Sequence, residues 1–162
     1  MQPVIVRFVA LLITALSLAP SLAHVLEAPP RMSQWSPHLW RETTVFNGQY
    51  RIFGIFGAPL DIGAVLATAL LAYLSLHRGP AWPLALAGAI LYALALTAWL
   101  LIVMPANGVL ATWKPGPLPE NLGEVRDRWE YGHMLVASLK FLGFISITLS
   151  VLLWPESVDE AD

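Results

Sequence analysis

Cysteine is absent from the 162 residues, which excludes disulfide frameworks, thiolate metal sites, iron–sulfur clusters and thiol nucleophiles. Charge is scarce. Asp, Glu, Lys and Arg make up 12% of the chain, about half the ~25% of a soluble domain, and none lies between Gly79 and Trp113. A soluble domain of this size has no core large enough to hide such a stretch, so the chain belongs in a bilayer. Basic runs interleaved with aromatics are missing too, and with a net charge of -2 no nucleic-acid partner is expected. What fills the chain instead is apolar: 57% of its residues are hydrophobic and its mean hydropathy is +0.64.

Crossing a bilayer takes about 20 mostly apolar residues, and four windows qualify: 4–27, 52–76, 81–104 and 131–154. The expected fold is therefore all-α, a four-helix transmembrane bundle running up-down-up-down, with residues 1–162 forming one multi-pass domain whose main partner is lipid. Only His77, Arg78, Gly79 and Pro80 separate the second and third windows, which makes them antiparallel neighbours. The polar connections, 28–51 and 105–130, then share one membrane face, and the tight turn and an acidic tail, 155–162, lie at the other. Six Lys or Arg residues fall on the polar-loop side (Arg31, Arg41, Arg51, Lys114, Arg126, Arg128) against two opposite (Arg7, Arg78), which points to cytoplasmic polar loops. Arg7, the apolar run from Phe8 to Leu18, and Ser21-Leu-Ala23 before His24 also fit a cleavable signal peptide. Pro105-Ala-Asn107 is expected to end the third helix. Gly54, Gly57, Gly63, Ala64, Ala85, Gly88 and Ala89 are expected to let helices pack closely. Self-association into a homo-oligomer is left open.

Two pairs of residues stand out. His24 and Glu27 are three apart on the first helix, and Glu130 and His133 are three apart on the fourth, so each pair shares a helix face. The first helix runs toward the polar loops and the fourth away from them. Both imidazoles therefore lie about 4.5 Å deeper than their carboxylates at 1.5 Å per residue, and the pairs should converge in a cavity reached from the polar-loop side. Glu-x-x-His on inward faces is how dinuclear carboxylate bundles hold metal. Here the other helices offer only Asn47, Tyr50 and Asn107, so His24, Glu27, Glu130 and His133 could build a mononuclear site at most. A haem between the two His is a weaker candidate. The alternative is a metal-free ion network closing the bundle end, with Arg126 and Arg128 as counter-charges to Glu130. Trp35, Trp40, Trp113 and Trp129 flank this end and also fit an interfacial aromatic belt. Deeper still, Asp61 and Lys140 each lie eleven residues into their helices, about 16 Å, and are expected to form a buried ion pair that brings the second and fourth helices into contact.

The segments Ala23-His24-Val-Leu-Glu27, Asn47-Gly-Gln-Tyr50, Pro105-Ala-Asn107 followed by Trp113, and Arg126-Asp-Arg-Trp129-Glu130-Tyr-Gly-His133 together resemble the anthrone-oxygenase-like family of small four-helix membrane proteins. Much of that family is a domain of unknown function. The resemblance spans all four helices, with the Arg-x-x-Trp-Glu-x-x-His block its most specific part, and it implies an oxygen-dependent oxidoreductase acting on a lipophilic aromatic, anthrone- or quinol-like compound. On that reading His24 or His133 is a general base, Glu27 or Glu130 orients the imidazole, Arg126 stabilises an enolate, and Asn47, Tyr50, Asn107, Trp113 and Trp129 line the substrate. The rival reading is a non-catalytic membrane subunit or lipid-binding module whose His, Glu and Arg residues are purely structural.

Overall fold

The computed structural model describes residues 2–154, with the side chains of residues 2, 3, 49 and 50 outside the description. Helix α1 spans Gln2–Ser33, α2 Pro37–Arg41, α3 Gln49–Leu74, α4 Ala81–Ala98, α5 Met104–Leu110 and α6 Leu122–Leu152. Wider π turns at Glu42–Phe46 and Trp99–Val103 join α2 toward α3 and α4 to α5. There is no strand among the described residues. Four stretches are long and apolar enough to cross a membrane, Val4–Ser33, Arg51–Leu74, Ala81–Leu110 and Leu122–Leu152, and they alternate in direction as the short 77–80 turn requires. The chain is an integral membrane protein with an all-α bundle.

Three helices outrun the apolar windows: α1 and the third span continue past prolines, and α6 begins at Leu122 in a charged stretch that hydropathy leaves out. Pro29 and Pro30 sit inside α1 without stopping it before Ser33. Pro105 does not end the third span either, because the helix continues to Leu110. A proline in mid-helix lacks an N–H and presses its ring on the carbonyl four residues back, here that of Leu101. The π turn Trp99–Val103 opens the backbone just before Pro105, and the Leu101 carbonyl accepts a hydrogen bond from Arg128 Nη2 at 3.1 Å. Polar chemistry that the windows assign to loops thus rides on helical extensions beyond the apolar cores.

Around the bundle the order is α1, α3, α4, α6, each packed on the next and α6 closing on α1. The α4–α6 seam is the tightest. A Cβ added at Gly132 would lie 2.9 Å from Ile102 and Val103, and one at Gly143 2.9 Å from the Tyr92 ring, so bare glycine lets these backbones approach. Side chains bridge both diagonals. Tyr92 on α4 donates its hydroxyl to the Thr14 carbonyl of α1 at 3.0 Å. Lys140 on α6 reaches across to Asp61 on α3, Nζ to Oδ1 at 2.6 Å. The expected pair exists, but α3 and α6 are opposite rather than adjacent, and the length of the lysine stem spans the gap.

Lys140 spends its remaining donors on α1, on the Ser17 carbonyl at 3.2 Å and Ser21 Oγ at 3.0 Å, while Ser17 Oγ donates to Asp61 Oδ1 at 2.7 Å. Three helices therefore meet on one ammonium. Removing either partner strands a charge in hydrocarbon, so Asp61→Asn and Lys140→Met should each cost about 3–5 kcal/mol of stability. Unfolding in detergent should show the double variant recovering much of that loss; additive losses would mean the two groups do not stabilise each other.

Candidate functional site

At the polar end, α1 and α6 carry His24 and His133 into one another. The rings stack with centroids 4.1 Å apart and planes 18° from parallel. Trp129 meets both edge-on, at 5.2 Å and 4.5 Å, and Phe53 of α3 lies 4.6 Å from His24. The convergence expected from the two His-Glu spacings is present in the histidines. It is not present in the carboxylates.

Arg31, assigned by sequence to a loop, is the residue that holds both Glu side chains. It lies on the helical extension of α1, one turn past Glu27, and is 2% exposed. Its Nη1 donates to Glu27 Oε2 at 2.8 Å, and its Nη2 to the His24 carbonyl at 2.9 Å and Glu130 Oε2 at 3.0 Å. Its Nε stands 3.0 Å from Glu130 Oε1, within ion-pair distance but without a hydrogen bond of its own. Trp40 Nε1 donates to the same Oε1 at 2.8 Å. The signal for Arg31 was available in the i, i+4 spacing from Glu27; the apolar window that stops at residue 27 left Arg31 in the connection.

Other expectations are redistributed. Arg126 is not the counter-charge to Glu130, because it turns to its neighbour Asp127, Nε to Oδ1 at 3.1 Å. Trp40 is no belt residue: it is fully buried beneath α2, edge-on to Trp129 at 5.9 Å and Trp113 at 6.5 Å. Asn47 is exposed at the end of the first π turn. The side chain of Tyr50 lies outside the described residues. Trp113 lines a second hollow at this end, with Phe46, Arg51 and Leu110, rather than the space beside the histidines. Arg41 is also buried and ties the first π turn to the 111–121 loop through the carbonyls of Gly116 and Pro117, both at 3.0 Å. Arg31 and Arg41 are thus committed to structure, which removes them from any count that orients the protein by surface charge.

The space beside the histidines is a cleft lined by all four spans, including His24, Phe53, Asp61, Asn107, Trp129 and His133. Its enclosed part is small, about 40 Å³. His24 is 4% exposed, and its Nδ1 has no hydrogen-bond partner among the described residues. An indole N–H can only donate, so the 2.8 Å bond from Trp129 Nε1 to Asn107 Oδ1 fixes the Asn107 amide with its NH₂ free to donate elsewhere. The cleft is thus lined by two imidazoles and an amide donor among aromatic side chains.

The donor set does not suit a metal ion. Both Glu130 oxygens are taken by Arg31 and Trp40, Glu27 is half-exposed and bound to the same arginine, and the described residues contain no grouping of three His, Asp or Glu able to hold a metal. His24, Glu27, Glu130 and His133 are therefore not assembled as ligands. Nor could rings stacked face to face bind opposite sides of one haem, which requires their nitrogens to point at each other across it.

Neither protein-family models, characterised proteins nor solved structures include a match to this chain.

The two arginines make opposite predictions. Arg31→Ala leaves Glu130 charged, buried and unpaired and should lower stability by about 3–5 kcal/mol, whereas Arg126→Ala removes a part-exposed pair and should cost less than about 1 kcal/mol. Equal losses in detergent unfolding would contradict this assignment.

Proposed function

We propose that the protein is a membrane-embedded oxidoreductase of the anthrone-oxygenase type, with the His24–His133 pair as its acid–base centre and a lipophilic aromatic compound as substrate. The observation that carries this reading is the orphaned His24 Nδ1, buried in a cleft with aromatic walls. A buried polar atom without a partner is costly, and a ligand hydroxyl or an acidic C–H beside a ring carbonyl would supply the missing proton.

The chemistry asks little of the protein. An anthrone carries a CH₂ made acidic by the carbonyl across its ring. Transfer of one C–H proton to an imidazole leaves an enolate, whose electrons pass to dioxygen. In sum R₂CH₂ and O₂ give R₂C=O and H₂O, one oxygen atom entering the product and the other leaving as water. Dioxygen is the only oxidant required. The developing enolate oxygen would be met by the Asn107 NH₂, whose orientation Trp129 holds, in place of the arginine that the sequence pattern suggests. Glu27 and Glu130 act at a remove: through Arg31 they brace the turn of α1 whose carbonyl belongs to His24.

The purely structural reading draws support from one half of the cluster, the hydrogen-bonded Arg31–Glu130–Trp40 unit. The histidine half gives it none, since neither a salt bridge nor a hydrogen bond explains His24. The halves can be separated by experiment. In detergent or vesicles, oxygen uptake with a panel of anthrones and hydroquinones should fall about 10²-fold or more in His24→Ala and His133→Ala, while both variants unfold near the wild-type midpoint. Wild-type protein inert toward the whole panel, or His variants that retain full rate, would overturn the assignment.

A further inference from the structure

α3 and the third span diverge. They pack together where α3 meets α4, yet toward the polar end α3 makes few or no contacts with the second π turn or α5, both of which lie on α6. The cleft lies between them, with Gly54 and Gly57 lining it from α3 and Trp99 and Asn107 from the third span. The loop-side end is closed instead, by α2 with Trp40 set over Trp129 and the Arg31–Glu130 pair behind it. Access therefore lies sideways, toward the hydrocarbon.

These cleft-lining glycines differ from those in the helix seams. A Cβ at Gly132 or Gly143 would strike a neighbour within 3.0 Å, whereas one at Gly54 or Gly57 would meet nothing within 4 Å. Close helix packing does not account for them. Gly54, Gly57, Ala58 and Asp61 follow each other at helical spacing on the cleft face of α3, a strip with no projecting side chain until the Asp61 carboxylate. His24, whose Nδ1 is buried without a hydrogen-bond partner, lines the same cleft. The cleft is lined by small residues on the α3 side and by Trp99 and Trp129 from the third span and α6.

We propose that the ligand is a flat, lipid-dissolved ring bearing a carbonyl or hydroxyl oxygen at its edge, a quinone or phenol, which reaches His24 sideways from the bilayer between α3 and α5 across the bare surface of Gly54 and Gly57. This rests on the preceding assignment of the cleft as a ligand site, and adds the route and the shape that select the ligand.

The substitutions that test it are ones the fold can accept. Leucine at either glycine enters open space, prefers a helix more than glycine does, and fills the cleft. With 1,4-naphthoquinone dissolved in vesicle lipid as probe, the saturable part of tryptophan quenching reports binding beside Trp99 and Trp129. Gly54→Leu and Gly57→Leu should weaken it at least tenfold, Gly57→Ala less, and Gly123→Leu, at an open position outside the cleft, not at all. Circular dichroism should match wild type in all four. If His24→Ala abolishes saturable quenching while both leucine variants keep it, the lateral route is wrong and the site assignment stands. If the wild type shows no saturable quenching, the site assignment fails and the route with it.

Discussion

In hydrocarbon an ammonium or guanidinium has no water to fall back on, so each buried cation must collect its hydrogen bonds from whichever helices can reach it. Lys140 collects from α1 and α3 at mid-bundle. Arg31 collects from its own helix and from α6 near the polar end. Between these two levels the relative height and rotation of α1, α3 and α6 have little freedom, because a slip of one residue along a helix would break several charge-assisted bonds at once. The histidine pair and the cleft lie between the two levels and inherit their geometry from both.

The same polar end contains one half that is saturated and another that is not. Arg31, Glu130 and Trp40 are tied to one another by hydrogen bonds that occupy both Glu130 oxygens and close the end at α2. His24 and His133, one turn deeper, are held by stacking and by the edges of Trp129 and Phe53, contacts that fix a ring's position without occupying its nitrogens. Rigidity and chemical availability are thereby supplied by different residues. A bundle that used one ion network for both would have to break its own end to bind a ligand.

The π turns serve this arrangement. The one at Trp99–Val103 absorbs Pro105 and lets the third span continue far enough to present Asn107 to the cleft. The one at Glu42–Phe46 follows α2, placing Trp40 inside the bundle end while Arg41 fastens the 111–121 loop. Local departures from ideal helix geometry, each next to a residue that demands one or a contact that rewards one, shape the site more than the regular helices do.

Hydropathy and spacing by themselves determined the number of spans, their alternation, the antiparallel turn at 77–80, the meeting of His24 with His133 and the pairing of Asp61 with Lys140. Those features follow from rules that act along one helix or on every residue in lipid: apolar length, helical period, and the cost of a lone charge. The lengths of the helices, the partner of Glu130 and the side from which the cleft opens were decided only by tertiary structure. Pro105 reads as a helix end because a proline's local penalty is visible in sequence, whereas the distant groups that offset it, such as Arg128 on the Leu101 carbonyl, are not. Arg126 is nearer to Glu130 in sequence than Arg31 is and shares its helix face, but its guanidinium pairs with Asp127, and the carboxylate binds the guanidinium that another helix brings into the interior. Gly54 and Gly57 look the same in sequence as the glycines of the α4–α6 seam. What separates them is whether a neighbouring helix comes close enough to need the missing side chain, and that depends on how four helices diverge in space.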